Sequence, residues 1–270
     1  MNYIYAIAAG IVQGLTEFLP ISSSGHLVLF HDLLGFDLPD NLTFDVVLHL
    51  GTLGALLLYF YKDIAKYARA FFQSLTGWNL KNDLNQRLSW YFAIGTIPAV
   101  IIGYFFEDLL EAIFRNATSV ATMLIAFGAI LYFVDKTAKQ QKELKDVSWK
   151  NAIIIGAAQA IALIPGVSRS GITIIAGLSQ KLKREDAARF SFLLSIPAVA
   201  GAGLKKLLEL ENFNCNETLP YVFGFLAALL SGYLTIKYFL RFLEKNSLAV
   251  FACYRIMIGL LILVIIYLVG

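Results

Sequence analysis

The chain is predicted to be an all-α integral membrane protein, an inverted-topology repeat of six full spans and two re-entrant helix-turn-helix hairpins. Three observations lead there. Of its 270 residues 58% are hydrophobic and 15% charged, with a mean hydropathy of +0.69, more apolar surface than a soluble domain of that length covers. Six apolar runs, 42–61, 90–106, 117–134, 187–208, 219–240 and 249–268, are long enough to span a bilayer. Two further regions, 3–36 and 150–180, are each split by a Pro/Gly/Ser break into pieces too short to cross, the pattern of a re-entrant hairpin.

The first hairpin carries GIVQGLTEFLPISSSGH, residues 10–26. Gly10 and Gly14 share one face at small-xxx-small spacing, which admits a close neighbouring helix. Gln13 and Glu17, at i and i+4, share another. Pro20 ends the helix, and Ser22, Ser23, Ser24 and Gly25 make a turn before His26. Ionisable and hydroxyl groups inside an apolar segment point to function; an interfacial loop with a capping serine is the plainer alternative. The second hairpin breaks at PGVSRSG, residues 165–171. A shift of 146 positions places Gly10 on Gly156, Gln13 on Gln159, Ser22 on Ser168, Ser24 on Ser170, Gly25 on Gly171 and Phe44 on Phe190. Two halves, about 1–136 and 147–270, make one membrane domain. Each holds one hairpin and three spans, an odd number, so the second half is inverted.

Between the apolar segments lie two charged linkers, 62–89 and 135–150. Lysine and arginine collect in 62–89, 135–150, 181–189 and 241–248, whereas the alternate loops hold Asp37, Asp40, Glu107, Asp108, Glu111, Glu209, Glu211 and Glu217. Arg115, Lys205 and Lys206 run against the pattern. The positive-inside rule then places both termini outside, with the two hairpin tips meeting near the midplane. The net charge of +3 therefore expresses topology, and nucleic-acid binding is not expected. The first residues lack a basic n-region and a cleavage site, so a removable signal peptide is not expected. Cys215 and Cys253 fall in a polar loop and an apolar span, which argues against a disulfide.

At the meeting point two helix N-termini, with hydroxyls from Ser22, Ser23, Ser24, Ser168, Ser170 and Thr173, form an anion site. Arg169 at membrane depth needs an anionic partner, and its planar fork suits phosphate or carboxylate; a structural ion pair with Glu17 is the alternative. Glu17 needs a cation in turn: Arg169, a proton, or Ca²⁺ or Mg²⁺ beside phosphate oxygens. His26 lies within reach for acid–base or nucleophilic work. Asp45 and His49, at i and i+4, line the same cavity or cap a helix end. Arg255, inside the last span, reads as structural or as snorkelling to the cytoplasmic surface.

GLTEFLPISSSGH and PGVSRSGIT, with the YRI around Tyr254, resemble the signature segments of the undecaprenyl-diphosphate phosphatase family, the bacitracin-resistance proteins. The resemblance covers essentially the whole chain. It implies hydrolysis of the terminal phosphate of a C55 isoprenoid diphosphate at a site opening to the outer face of the bacterial inner membrane. It also implies divalent-metal dependence (Mg²⁺ or Ca²⁺), interleaved inverted repeats, and indirect competition by bacitracin, which binds the substrate. Carried over by motif position, Glu17, Ser23, His26 and Arg169 are the catalytic residues. Gln13, Ser22, Ser24, Ser168, Ser170 and Thr173 are expected to bind substrate. Many members have Glu where this chain has Gln13, so a metal held by two carboxylates of one helix is in question; Glu17 with Asp45 is the alternative ligand set. Ser23 is the expected nucleophile with His26 as its base, and attack by His26 or by water are the competing routes. The rival function is an inverted-repeat secondary transporter or lipid-phosphate flippase, since broken helices at the midplane are also transporter architecture.

Overall fold

The computed structural model describes residues 3–27, 41–208 and 218–269. Among these residues the chain is helical throughout, apart from short connections. The first hairpin begins with α1 (Tyr3–Phe18), breaks at 19–22 and enters a helical turn at 23–27. Then come α2 (Asn41–Tyr59), α3 (Tyr61–Thr76), α4 (Leu84–Phe114) and α5 (Ala117–Thr137). The second hairpin is α6 (Trp149–Ile161) and α7 (Arg169–Ser179), followed by α8 (Arg184–Leu208), α9 (Thr218–Leu243) and α10 (Ala249–Val269).

Among the described residues α4, α5, α8, α9 and α10 are long and apolar enough to span, and α2 with α3 supplies a sixth candidate bent by 80°. The bend corrects one expectation. The first half of the 62–89 linker is helix α3, and α4 begins at Leu84 rather than at 90. Charge marked this stretch as a connection, but its apolar residues recur at helical spacing. Glu107 lies on α4, and Lys205, one of the exceptions to the charge pattern, reaches its Oε2 at 3.0 Å. Asn116 is the N-cap of α5, its side chain accepting from the Ser119 N–H at 2.9 Å. The acidic residues Asp37, Asp40, Glu209, Glu211 and Glu217, with Cys215, lie outside the described residues.

The helices interleave. α1 packs against α9, while its counterpart α6 packs against α4; α5 pairs with α10, and α2 lies against α8 and α9. Glycine sets the closest of these approaches. A methyl group on Gly10 would collide with the Gly224 carbonyl oxygen of α9, and one on Gly156 with the Gly95 carbonyl oxygen of α4. These two glycines are related by the 146-residue shift, so the repeat is expressed in packing as well as in letters. Phe44 and Phe190, also related, are both fully buried.

Gly156→Ala should therefore cost about 1–3 kcal/mol, the usual range for overpacking, and lower the thermal unfolding midpoint in detergent. Gly201, on α8, has open space where its Cβ would lie. Gly201→Ala should leave the midpoint unchanged or raise it, because alanine is the better helix former by about 1 kcal/mol. Equal midpoints for the two variants would show that the α4–α6 contact is not under steric control.

Candidate active site

Each break is built around one serine with positive φ. Ser22 has φ 75° and Ser168 has φ 74°, a region that costs a residue with a side chain on the order of 1–3 kcal/mol. Each offsets the cost in the same way. The Ser22 hydroxyl accepts from the Gly25 N–H at 3.3 Å and contacts Ser24 Oγ at 3.3 Å. The Ser168 hydroxyl accepts from the Gly171 N–H at 3.1 Å and contacts Ser170 Oγ at 3.2 Å. The 146-residue shift thus superposes one capped turn on another, as Ser/Thr N-caps do at helix starts. Ser170 ties the two together by donating to the Leu19 carbonyl at 3.0 Å.

Arg255 holds the breaks from inside. It is fully buried, and its guanidinium donates to Pro20 O at 3.1 Å, Gly166 O at 2.9 Å and Val167 O at 2.9 Å. It also reaches Leu124 O at 3.4 Å and Met123 O at 3.5 Å on α5. Pro20 and Gly166 are themselves related by the repeat shift. Of the two readings the sequence admits for Arg255, structural or snorkelling, the structural one holds: carbonyls freed by the two breaks satisfy the cation where it stands, as a buried charge requires.

Glu17 is the hub of the polar cluster. Its Oε1 accepts from Arg169 Nη2. Its Oε2 accepts from Ser23 Oγ at 2.6 Å and from Gln13 Nε2 at 3.1 Å, and His49 Nε2 lies 3.8 Å from the same oxygen. Arg169 and Glu17 thus form the ion pair that the sequence admits, but the pair leaves groups over. Arg169 Nη1 and Gln13 Oε1 are buried without a hydrogen-bond partner in the protein, so a donor and an acceptor remain for a ligand.

Ser23 is half-buried and Ser24 exposed, whereas Ser22, Ser168 and Ser170 are buried in the turns. Thr173 is displaced from the centre: its Oγ1 donates to the Arg169 carbonyl at 2.7 Å and contacts Ser191 Oγ of α8 at 2.5 Å. His26 is also differently placed from expectation. Its Nδ1 is 2.7 Å from Ser22 O and its Nε2 is 2.7 Å from the Tyr254 hydroxyl. A carbonyl only accepts, so Nδ1 carries a proton, and Nε2 shares a hydrogen bond with the Tyr254 hydroxyl, accepting it when the ring is neutral. Both nitrogens are engaged, and the group that accepts from the Ser23 hydroxyl is the carboxylate of Glu17. On α2, His49 Nδ1 bonds the Asp45 carbonyl at 2.8 Å, so Asp45 lies one turn before the imidazole that faces Glu17.

Sequence reasoning missed Tyr254 and the carbonyl-clamping role of Arg255. The signal was their adjacency: two polar side chains within an otherwise apolar span, where such residues face inward.

Fold and site define a polytopic α-helical membrane protein with an acid, a hydroxyl and an arginine gathered between two broken helices. The chain matches the family model described as Bacitracin resistance protein BacA over residues 6–261 and belongs to that family. It is 43% identical over 272 residues to an undecaprenyl-diphosphatase of Paenarthrobacter aurescens, covering 98% of this chain and 97% of that one. It is 45% identical over 269 residues to an undecaprenyl-diphosphatase of Geotalea daltonii, covering 98% and 99%. A third, from Myxococcus xanthus, is 45% identical over 268 residues, covering 98% and 89%.

Arg255→Lys keeps the charge but offers one ammonium in place of a planar fork with five donors. It should lower the thermal midpoint and the yield of monodisperse protein, by an amount comparable with Arg255→Met. A lysine variant as stable as the parent would show that charge alone suffices.

Proposed function

We propose that the protein is a membrane phosphatase that hydrolyses undecaprenyl diphosphate to undecaprenyl phosphate and inorganic phosphate, recycling the lipid carrier for cell-wall synthesis. One observation carries the reading: Ser23, Glu17 and Arg169 form a connected chain that ends in an unpartnered guanidinium nitrogen. The names of the similar proteins favour hydrolysis over a transporter or flippase. Transport needs selective binding but not a hydroxyl hydrogen-bonded to a carboxylate.

Arg169 keeps Glu17 on Nη2 while Nη1 takes an oxygen of the terminal phosphate, stabilising charge as it develops. Ser23 Oγ attacks the terminal phosphorus as its proton passes to Glu17 Oε2. The bond from phosphorus to the bridging oxygen breaks, and undecaprenyl phosphate leaves with the electron pair. Water then displaces the serine oxygen, which regains a proton from Glu17; the water leaves one hydrogen on the phosphate and releases the other to solvent. His26 steadies the turn through Ser22, and Tyr254 holds His26. Attack by His26 would first require loss of its bond to Tyr254.

The divalent ion implied by the family resemblance fits in one way. Gln13 Oε1, buried and unpartnered, and the Glu17 carboxylate are hard oxygen donors; Asp45, one turn before the His49 that faces Glu17, is the further carboxylate of the alternative ligand set. Mg²⁺ is commonly held by one or two carboxylates together with substrate phosphates. When bound, the ion would neutralise charge on the diphosphate oxygens. Among the described residues no three His, Cys, Asp or Glu side chains gather into a metal set, so substrate oxygens would complete the shell.

Phosphate release by detergent-solubilised protein tests hydrolysis directly, since no membrane remains to transport across. Arg169→Lys should lose most activity although charge is kept, and Glu17→Gln and Ser23→Ala should each fall by at least about 100-fold, the lower end of what positioned acid–base groups contribute. Rapid quenching with substrate labelled on the terminal phosphate should trap an acid-stable, base-labile phosphoprotein at Ser23. An acid-labile adduct lost in His26→Ala would transfer the nucleophile to His26, and no adduct under a resolved burst would favour water.

The same reading places the protein in the bacterial inner membrane with both termini outside and the site open to the outer face, the substrate reaching it from the surrounding lipid. Bacitracin acts by binding that substrate. In a cysteine-free background, cysteines at Asn82 and Gln140 should resist an impermeant thiol reagent in intact cells, and one at Asn116 should react. Reversed labelling would invert the orientation.

A further inference from the structure

α3 (Tyr61–Thr76) divides into three stripes. At about 100° per residue, Tyr67, Ala70 and Ser74 fall on one side, and they are 7%, 4% and 2% exposed. This stripe docks on α4: Trp90 Nε1 donates to Ser74 Oγ at 2.9 Å, and Tyr67 meets Phe92 edge-on with ring centroids 5.4 Å apart. A second stripe, roughly 150° away, is apolar yet open: Tyr61 is 60% exposed, Phe72 67% and Leu75 61%, with Ala65 and Ala68 between them. The third carries Lys62, Lys66, Arg69 and Gln73, all exposed.

α3 leaves α2 at 80°, about a buried Phe60, so the two helices share no common axis. With the apolar run of α2 directed across the bilayer, a helix turned that far runs nearly parallel to the membrane plane. An apolar stripe beside a basic stripe is the sequence of a helix that lies in the headgroup layer. Just past its end Trp78 is 66% exposed, an indole at the depth where such rings collect. The apolar stripe therefore has an occupant, the acyl boundary, and the basic stripe faces headgroups of opposite charge.

We propose that α3 is an in-plane interfacial helix whose Lys62, Lys66 and Arg69 form a binding row for anionic phospholipid headgroups. The inference is independent of the catalytic reading, because none of these residues belongs to the Glu17–Ser23–Arg169 cluster. Each basic residue close to an anionic surface contributes about a fivefold preference, so the row favours anionic over zwitterionic lipid by one to two orders of magnitude at low salt.

The test uses the full chain in lipid nanodiscs. Spin labels are placed at Phe72→Cys or Gln73→Cys in a background carrying Cys215→Ser and Cys253→Ser. The label at 72 should be relaxed mainly by oxygen, which concentrates among acyl chains, and the label at 73 mainly by a water-soluble nickel chelate. In mixed discs, enrichment of phosphatidylglycerol around the protein should fall about 10- to 100-fold in the Lys62→Gln/Lys66→Gln/Arg69→Gln variant, and should fall in the parent as salt rises. Phosphate release in zwitterionic discs should be the same for both. Nickel relaxation at 72, or shielding of 72 from both agents by a protein contact, would overturn the in-plane placement. Undiminished enrichment in the triple variant, or in the parent at high salt should the variant not fold, would overturn the headgroup row.

Discussion

A guanidinium buried at the centre of the molecule, answered by backbone carbonyls, is the constraint on which the structure depends. A helix that stops inside a membrane leaves carbonyls that neither water nor its own next turn can satisfy. Pro20, Gly166 and Val167 present three of them, and the Arg255 side chain on α10 meets all three. The charge would be prohibitive to bury alone, and the broken helices would be prohibitive without a donor. Each makes the other tolerable. Breaks fixed in this way from a third element become rigid, and Ser22 and Ser168 can be held at positive φ.

That rigidity positions the polar cluster. Glu17 comes from the last turn of α1, Ser23 from the turn beyond the break, and Arg169 from the opposite hairpin. No local sequence element contains all three; they meet where α1 and α6 seat closely against α9 and α4, approaches that a side chain at Gly10 or Gly156 would obstruct. The interlocking is reciprocal, each hairpin leaning on a long helix of the other half.

Much of this was legible in the sequence for a physical reason. Helix termination inside an apolar segment leaves a mark in proline, glycine and serine, and a common offset of 146 residues between two such marks has little room for accident. The i, i+4 pairing of Gln13 and Glu17 likewise transfers directly to a helix face, and the two side chains do bond. What the letters could not show was direction. His26 follows three serines and so reads as their base, yet its ring turns to Ser22 O and to Tyr254, more than two hundred residues away. Arg255 reads as structural or snorkelling, and nothing adjacent in sequence decides between them by hinting at the carbonyls it meets. Thr173 shares a helix with Arg169 but points to Ser191. The α3 segment was obscured by charge, although its spacing already held three faces.

The correspondence of Ser22 with Ser168 has a consequence for how the polar groups are divided between the halves. Two identical tips would bring like groups together. The shift that superposes the turns sets Ser23 opposite Arg169, Glu17 opposite Leu163 and His26 opposite Ile172. The carboxylate stands in one copy and the guanidinium in the other, while both carry the serines of the capped turn. Gln159, the counterpart of Gln13, is 3% exposed, and neither atom of its amide has a protein partner. A leucine there would spare the chain a buried amide worth about 1–3 kcal/mol. Gln13 has a carboxylate one turn away to meet; its counterpart Gln159 has the same amide and no protein group to receive it.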